Sequence, residues 1–504
     1  MPKNSDSTPP STAPNKATRR WRRSNAAVLA TFVAALASGS ISTAPALADT
    51  PTSPPPVTIL TEGNVGHGDF FISPFGGSAA YANGPEILDQ QGNVIWFQAA
   101  PAGQEAADFR TQNYRGQPVL TWWQGTGLGG LAKGTDYIYN SHYQQIATVN
   151  AGNGYSADGH EFLITPQNTA LVLAYATETA DLSSIGGPSN QTVIDGIVQE
   201  IDIPTGKVLF QWKASDHVPY SQSEQPLPSS ASAPWDWFHI NAVHIDTDGN
   251  LLIDARDTWT TYKVARHSGN VIWQLGGKAS SFTLQAAPGQ KLNNAGELFA
   301  WQHDPEALGN DVYTVFDNEA AGVGNTGVDP TAQFGLSRAV RFKLDERAHT
   351  ATLLQSYNQP DALTAPSQGN AQTTSDGNLL VGWGSLPYFS EYDSAGDLLF
   401  NAKFPTGVNT YRAYLQPWSP GSGNGGGKGG KWPGSGQGGQ GSKGGPRGGS
   451  DKGSGGQGGQ AGDQGGDQGS GPGKWSGGQG GNGREHAKFS RARHSHAHSK
   501  HPRA

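Results

Sequence analysis

Cysteine is absent from the 504-residue chain. That excludes disulfides, a thiolate metal site and a cysteine nucleophile, so the fold rests on its core or on a closed topology. Long apolar runs are nearly absent too. The one candidate, Ala26 to Ala37, is too short for a comfortable membrane span. Segments of helical period are few, no H-E-x-x-H pattern occurs, and nothing in the middle of the chain has the basic character of a nucleic-acid surface. The formal net charge of -7 understates how acidic the middle is, because both ends of the chain are basic.

The short apolar run has its own explanation. Arg19, Arg20, Arg22 and Arg23 precede it, and Ala46-Leu47-Ala48 offers a small-residue cleavage site before Asp49. Residues 1–48 therefore read as a secretory signal peptide cut after Ala48, which makes the protein secreted or cell-envelope associated. Ordinary export ranks ahead of the twin-arginine route, because Trp21-Arg22-Arg23 beside Arg19-Arg20 is a loose match. Residues 49–57 read as a Pro, Ser and Thr-rich linker. From 418 to 504 the composition cannot bury enough apolar surface to order itself. Glycine dominates Gly421 to Gly483, and the end from Arg484 to Ala504 is rich in Arg, Lys and His. This tail reads as disordered and solvated, with contact to anionic envelope polymers as a second reading.

Between these ends, residues 58–417 have the Gly and Asn turns and the aromatic and β-branched runs of an all-β domain. A loose repeat, apolar-x-Asp-x-x-Gly-x-apolar-apolar-aromatic, recurs at Ile87 to Trp96, Ile201 to Trp212, Val264 to Trp273 and Tyr392 to Phe400. Weaker copies run from Tyr137 to Val149 and from Val340 to Tyr357. A second piece, Asp248-Gly249-Asn250-Leu251-Leu252, returns as Asp376 to Leu380. Six copies predict a six-bladed β-propeller with a disordered Gly-rich C-terminal tail. The stretch Trp235 to Lys278 alone predicts one four-stranded blade, with His239, Asn241 and Arg256 on its first two strands.

Three histidines, His160, His239 and His303, each follow an irregular connection and precede a strand-like run. In a propeller that is where the innermost strand begins, so three blades would aim imidazoles at one axial cavity. Three neutral imidazoles are adequate metal ligands. Arg256 argues the other way, since a fixed cation disfavours a dication and favours an anion. An imidazole nucleophile among cationic and amide donors suits transfer of an anionic group. No cofactor and no metal are called for.

Trp237-Phe238-His239-Ile240-Asn241, Ala255-Arg256, Trp273 to Lys278, Trp301-Gln302-His303-Asp304 and Phe316-Asp317-Asn318, in this order and spacing, resemble the bacterial arylsulfate sulfotransferases over about Gly84 to Phe404. The resemblance implies a six-bladed propeller that moves a sulfuryl group from an aryl sulfate to a phenol without a nucleotide donor. It implies His303 as the nucleophile that becomes a sulfohistidine, and His239 and His160 as channel histidines, the former exchanging a proton with the phenolic oxygen. Asn241 and Arg256 match donors to the sulfuryl oxygens. Trp237, Trp301 and Tyr262 are candidates for stacking on the aryl ring or, alternatively, for blade cores. Well-known members carry a cysteine pair and an extra N-terminal β domain used in dimerisation. This chain has no cysteine, and only a few dozen residues separate the cleavage site from its first repeat, so dimerisation is not implied. Two further classes keep the same blades: a non-catalytic envelope-binding propeller, and a metal-dependent lyase or hydrolase using the channel histidines as ligands. A quinoprotein dehydrogenase would need blade motifs that are not evident here.

Overall fold

The computed structural model describes residues 51–421 apart from 78–79, 129–130, 323–328 and 330. The expected signal peptide and the tail beyond residue 421 lie outside the described residues.

The Asp-x-x-Gly repeat is turn chemistry. Oδ1 of Asp89 accepts from the backbone N–H groups of Gln91 and Asn93, and Oδ1 of Asp393 accepts from those of Ala395 and Asp397. Gly92 and Gly396 follow at φ 80° and 95°, a conformation that costs glycine nothing. Each turn reverses the chain between two strands, and all six repeat copies coincide with the third and fourth strands of a sheet, as where Ile87 faces Trp96.

Six such antiparallel sheets stand in a ring as a six-bladed β-propeller. Blade 1 comprises Glu105–Tyr114, Gln117–Thr126, Lys133–Tyr139 and Gln145–Val149, and blade 2 comprises Phe162–Ile164, Thr169–Ala180, Gln191–Asp202 and Lys207–Lys213. Blade 3 comprises Ile240–Ile245, Leu251–Ala255, Thr260–Val264 and Val271–Leu275. Blade 4 is His303–Gly309, Val312–Asp317, Arg338–Asp345 and Thr350–Asn358, and blade 5 is Asn370–Thr373, Leu379–Gly382, Tyr388–Tyr392 and Leu398–Lys403. Blade 6 joins the two ends of the domain: Val408–Gln416 pairs with Asp69–Gly76, which continues into Glu86–Leu88 and Val94–Phe97. Thr58–Thr61 adds a fifth strand to the outer edge of blade 5, and Thr283–Ala286 does the same for blade 4. The ring is thus clasped by hydrogen bonds, with no disulfide needed.

Apolar cores fill the wedges between blades. The largest includes Trp212, Trp235, Phe238, Ile253 and Tyr262 between blades 2 and 3. First strands pack against one another around the axis, those of blades 6 and 1 and of blades 3 and 4 most closely. Where those strands end, the connections are tight turns such as 115–116, 165–168 and 310–311; where they begin, connections run as long as 214–239, 276–302 and 318–337. Long loops on one face of a rigid ring mark the face that carries function. Among the described residues no helix is long and apolar enough to cross a membrane.

Candidate active site

All three histidines stand at the start of inner strands on the long-loop face. His160 lies just ahead of Phe162–Ile164, His239 immediately precedes Ile240–Ile245, and His303 opens His303–Gly309. Arg256 lies one residue beyond the second strand of blade 3, in the turn Arg256–Thr258, so of the three residues expected on that blade's strands only Asn241 is in one. The backbone here is irregular. Pairing slips between Ile240 and Ala242 and between His303 and Glu306, and His239, Trp301 and Asp304 have φ of 50°, 53° and 59°. Such bulges re-aim side chains, and strain of this kind persists only where surroundings over-determine it.

His303 is fully buried. Its Nδ1 lies 2.7 Å from Oδ1 of Asn318 and 3.2 Å from the Trp301 carbonyl. The Asn318 amide nitrogen donates to the carbonyls of Ala365 and Gln368 at 2.7 and 3.0 Å, which turns its oxygen toward His303. Two acceptors at Nδ1 place the hydrogen there and leave the lone pair on Nε2, where the Gln368 N–H donates at 3.2 Å. Burial, the Arg256 guanidinium and His160 together hold His303 well below the ordinary histidine range, so the ring is neutral.

His239 has the opposite setting. Burial works against its charged form, but the Asp236 carboxylate, 2.6 Å from Nδ1, together with Asp257, outweighs burial and raises its pKa. His160 bonds through Nδ1 to Asp158 and meets His239 edge to face at 5.2 Å between ring centroids. Tyr175 stands 6.0 Å from both rings and Tyr411 5.7 Å from His160. Arg256 is buried, with Nη1 donating to Asp257 at 2.9 Å and Nη2 to the carbonyls of Ala321 and Pro366 at 2.6 and 2.8 Å. The fold therefore gathers His160, His239, His303 and Arg256 at one place. Asn241 stands a step behind them: its amide nitrogen donates at 2.7 Å to the carbonyl of Gln302, the residue before His303.

Beneath the histidines the axis is filled by a buried ionic network. Nη1 of Arg412, on the inner strand of blade 6, lies 2.8 Å from Glu161, 3.1 Å from Asp304 and 3.2 Å from Asp108. Nε2 of His244 is 3.0 Å from Asp304 and 3.2 Å from Glu161, and Arg110 pairs with Asp108 and Glu161. Burial opposes charge on Glu161, but Arg412, Arg110 and His244 hold its carboxyl well below the ordinary range. His244 in turn is raised to about 10 by Glu161 and Asp304 against burial. Each of two site histidines is thus followed directly by a carboxylate of this floor, His160 by Glu161 and His303 by Asp304. Glu161, His244 and Asp304 have metal-ligand spacing, as do Asp236, His239 and Asp257. In the first group Arg412 already supplies the cation; in the second, Asp257 is engaged by Arg256.

Of the candidate aromatics, Trp237 and Tyr262 belong to blade cores, against Tyr220 and Phe238 respectively. Trp301 packs with Trp259 at 4.9 Å and Phe334 at 5.1 Å, beside His303. Sequence reasoning assigned no role to Asp236, Asn318, Tyr175, Tyr411 or Arg412. Asp236 had a signal, three residues before His239, and Asn318 stood in a quoted motif. Tyr175 and Tyr411 had none, since only folding brings them to the axis.

The sequence profile of the arylsulfotransferases (ASST) matches residues 110–405, more than half the chain. The chain belongs to the arylsulfotransferase family. The matched span of this family member includes His160, His239, Asn241, Arg256 and His303. No curated protein matches the chain. Solved structures similar to it include a protein of unknown function from Bacteroides caccae, at 12% identity, covering 69% of this chain and 98% of that one with a TM-score of 0.39. Kuenenia stuttgartiensis hydrazine synthase matches at 11% identity over 75% and 96%, TM-score 0.37. A catalytically inactive virginiamycin B lyase from Staphylococcus aureus with quinupristin matches at 9% identity over 69% and 88%, TM-score 0.31. At these scores the likenesses carry no functional argument.

Proposed function

We propose that this arylsulfotransferase is an exported enzyme that moves a sulfuryl group from an aryl sulfate ester to a phenol, through a sulfohistidine on His303 and without a nucleotide donor. The observation that carries the reading is the pairing of a neutral His303, its lone pair fixed on Nε2, with a cationic Arg256 and a His239 whose pKa is raised. Nε2 gives up the Gln368 N–H and attacks sulfur, the bond from sulfur to the aryl oxygen breaks, and His239 gives a proton to the departing phenolate. The sulfonated ring keeps its Nδ1 hydrogen on Asn318, and Arg256 offsets the negative charge of the SO3 group. An incoming phenol then returns its proton to His239, its oxygen attacks sulfur, and the N–S bond breaks to restore neutral His303. Asn241 supports the peptide that presents His303. The signal-like N-terminus supports export.

Initial rates with 4-nitrophenyl sulfate as donor and phenol as acceptor test this. The expected result is a set of parallel double-reciprocal lines, unchanged by EDTA and abolished in His303→Ala. Intersecting lines, or activity lost to the chelator and restored by added metal, would favour a different chemistry.

A further inference from the structure

The dyad of Asp236 and His239 is assembled across a blade boundary. His239 opens the inner strand of blade 3, whereas Asp236 ends the short strand Trp235–Asp236, which pairs in parallel with the third strand of blade 2, Trp235 facing Val193 and Asp236 facing Ile194. The connection 214–234 delivers that strand. The Thr192 N–H donates to the Ala231 carbonyl at 2.9 Å, the Gln191 side chain donates to the Ala233 carbonyl at 2.7 Å, and Trp235 is buried in the core between the two blades. Asp236 then grips His239 twice: Oδ1 accepts the His239 backbone N–H at 3.1 Å, and Oδ2 lies 2.6 Å from Nδ1. The first contact holds His239 in its left-handed backbone conformation at φ 50°. The second places a hydrogen on Nδ1 and commits proton exchange to Nε2.

The neighbouring dyad of Asp158 and His160 looks similar but is placed differently. The His160 side chain is 2% exposed and that of His239 13%. The aryl group of a donor has to lie toward the open side, so its oxygen leaves past His239. Facing His239 are Asp236 on its own approach, Asp257 and Arg256 from the turn of blade 3, His160, Asp158 and Tyr175 from blade 2, and His303 from blade 4.

We propose that Asp236, carried on the short strand Trp235–Asp236 at blade 2, is a positioning residue that sets the ring orientation and tautomer of His239 for proton exchange with the phenolic oxygen. The proposal rests on the sulfuryl-transfer reading above. The upward shift of His239 agrees with it, the shift being the balance of burial against Asp236 and Asp257.

The test is kcat/KM for Asp236→Asn and the unsubstituted enzyme across aryl sulfates whose phenols range from strongly to weakly acidic. A phenolate that leaves readily needs little protonation. The variant should therefore lose less than about tenfold with 4-nitrophenyl sulfate and about 100-fold or more with donors of weakly acidic phenols. Its high-pH limb should move to lower pH, because activity with poor leaving groups falls as pH rises through the pKa of His239 and that pKa drops without the carboxylate. Asp236→Glu should restore part of the slope, and Asp236→Asn should add nothing in a His239→Ala background. Equal loss across the series, an unmoved limb, or additive losses in the double variant would overturn the proposal. If Asp236→Asn does not fold, the slope and limb of Asp236→Glu decide it: intermediate values support the role and unsubstituted values overturn it. If no donor leaves a sulfuryl adduct on the unsubstituted enzyme, the sulfuryl-transfer reading fails instead.

Discussion

His303 and His239 stand near one another in opposite settings, the first held well below and the second above the ordinary histidine range, as the proposed attack and protonation require. His303 is given an amide oxygen, Asn318, where His239 is given a carboxylate, Asp236. Burial and Arg256 oppose charge on both rings, and of the two only His239 has a carboxylate bonded to it that offsets them. Replacing Asn318 by Asp should therefore convert His303 into a second imidazolium. At pH 7 the variant should lose about 100-fold in kcat/KM for 4-nitrophenyl sulfate. The sign of its pH dependence follows: a raised pKa keeps the ring protonated at neutral pH and frees Nε2 only above it, so part of the loss should return as pH rises. A pH–rate profile checks this, and a profile parallel to that of the unsubstituted enzyme would count against a neutral nucleophile at His303. The residue types at the site were legible because each histidine precedes a strand-like run. Their partners were less so: Asn318 reaches His303 from the end of the neighbouring strand in the same blade, and a motif alone does not say which atom it turns inward.

At the scale of elements, the inner strands carry both the site and the ionic floor beneath it. Among the described residues Arg412 is the one side chain paired with Asp108, Glu161 and Asp304 together, which come from blades 1, 2 and 4. Removing one partner of a buried ion network leaves the others uncompensated, and the cost exceeds what the network contributed as a whole. Arg412→Leu should lower the free energy of unfolding by about 3–5 kcal/mol in urea titrations at neutral pH. A loss under about 1 kcal/mol would mean that water, and not Arg412, solvates those carboxylates. The outer hairpins were readable because an Asp-x-x-Gly turn is a local device, complete within a few residues. Of the inner strands only the starts of three were readable, at the histidines, since Phe162–Ile164 and Asn370–Thr373 are short and others are bulged, and alternation of polar and apolar residues is lost where both faces of a strand meet packed or charged groups.

For the whole domain, six copies of a turn motif were enough to give the blade count, while the way the ring closes was not written locally. Phe71 faces Tyr414 across blade 6 and Ile59 faces Ala402 at the edge of blade 5, pairings between opposite ends of the chain that no nearby residue specifies. That closure lets a cysteine-free chain hold histidines from three blades around one axis, and the central claim is what those histidines do together. It is tested most directly by intact-mass spectrometry after brief exposure of the protein to 4-nitrophenyl sulfate, with fragmentation to locate any adduct. The account predicts a gain of one SO3 on His303, discharged by added phenol and missing from His303→Ala. Folded protein that releases 4-nitrophenol from that donor while carrying no adduct at any time, or carrying it on another residue, would contradict it.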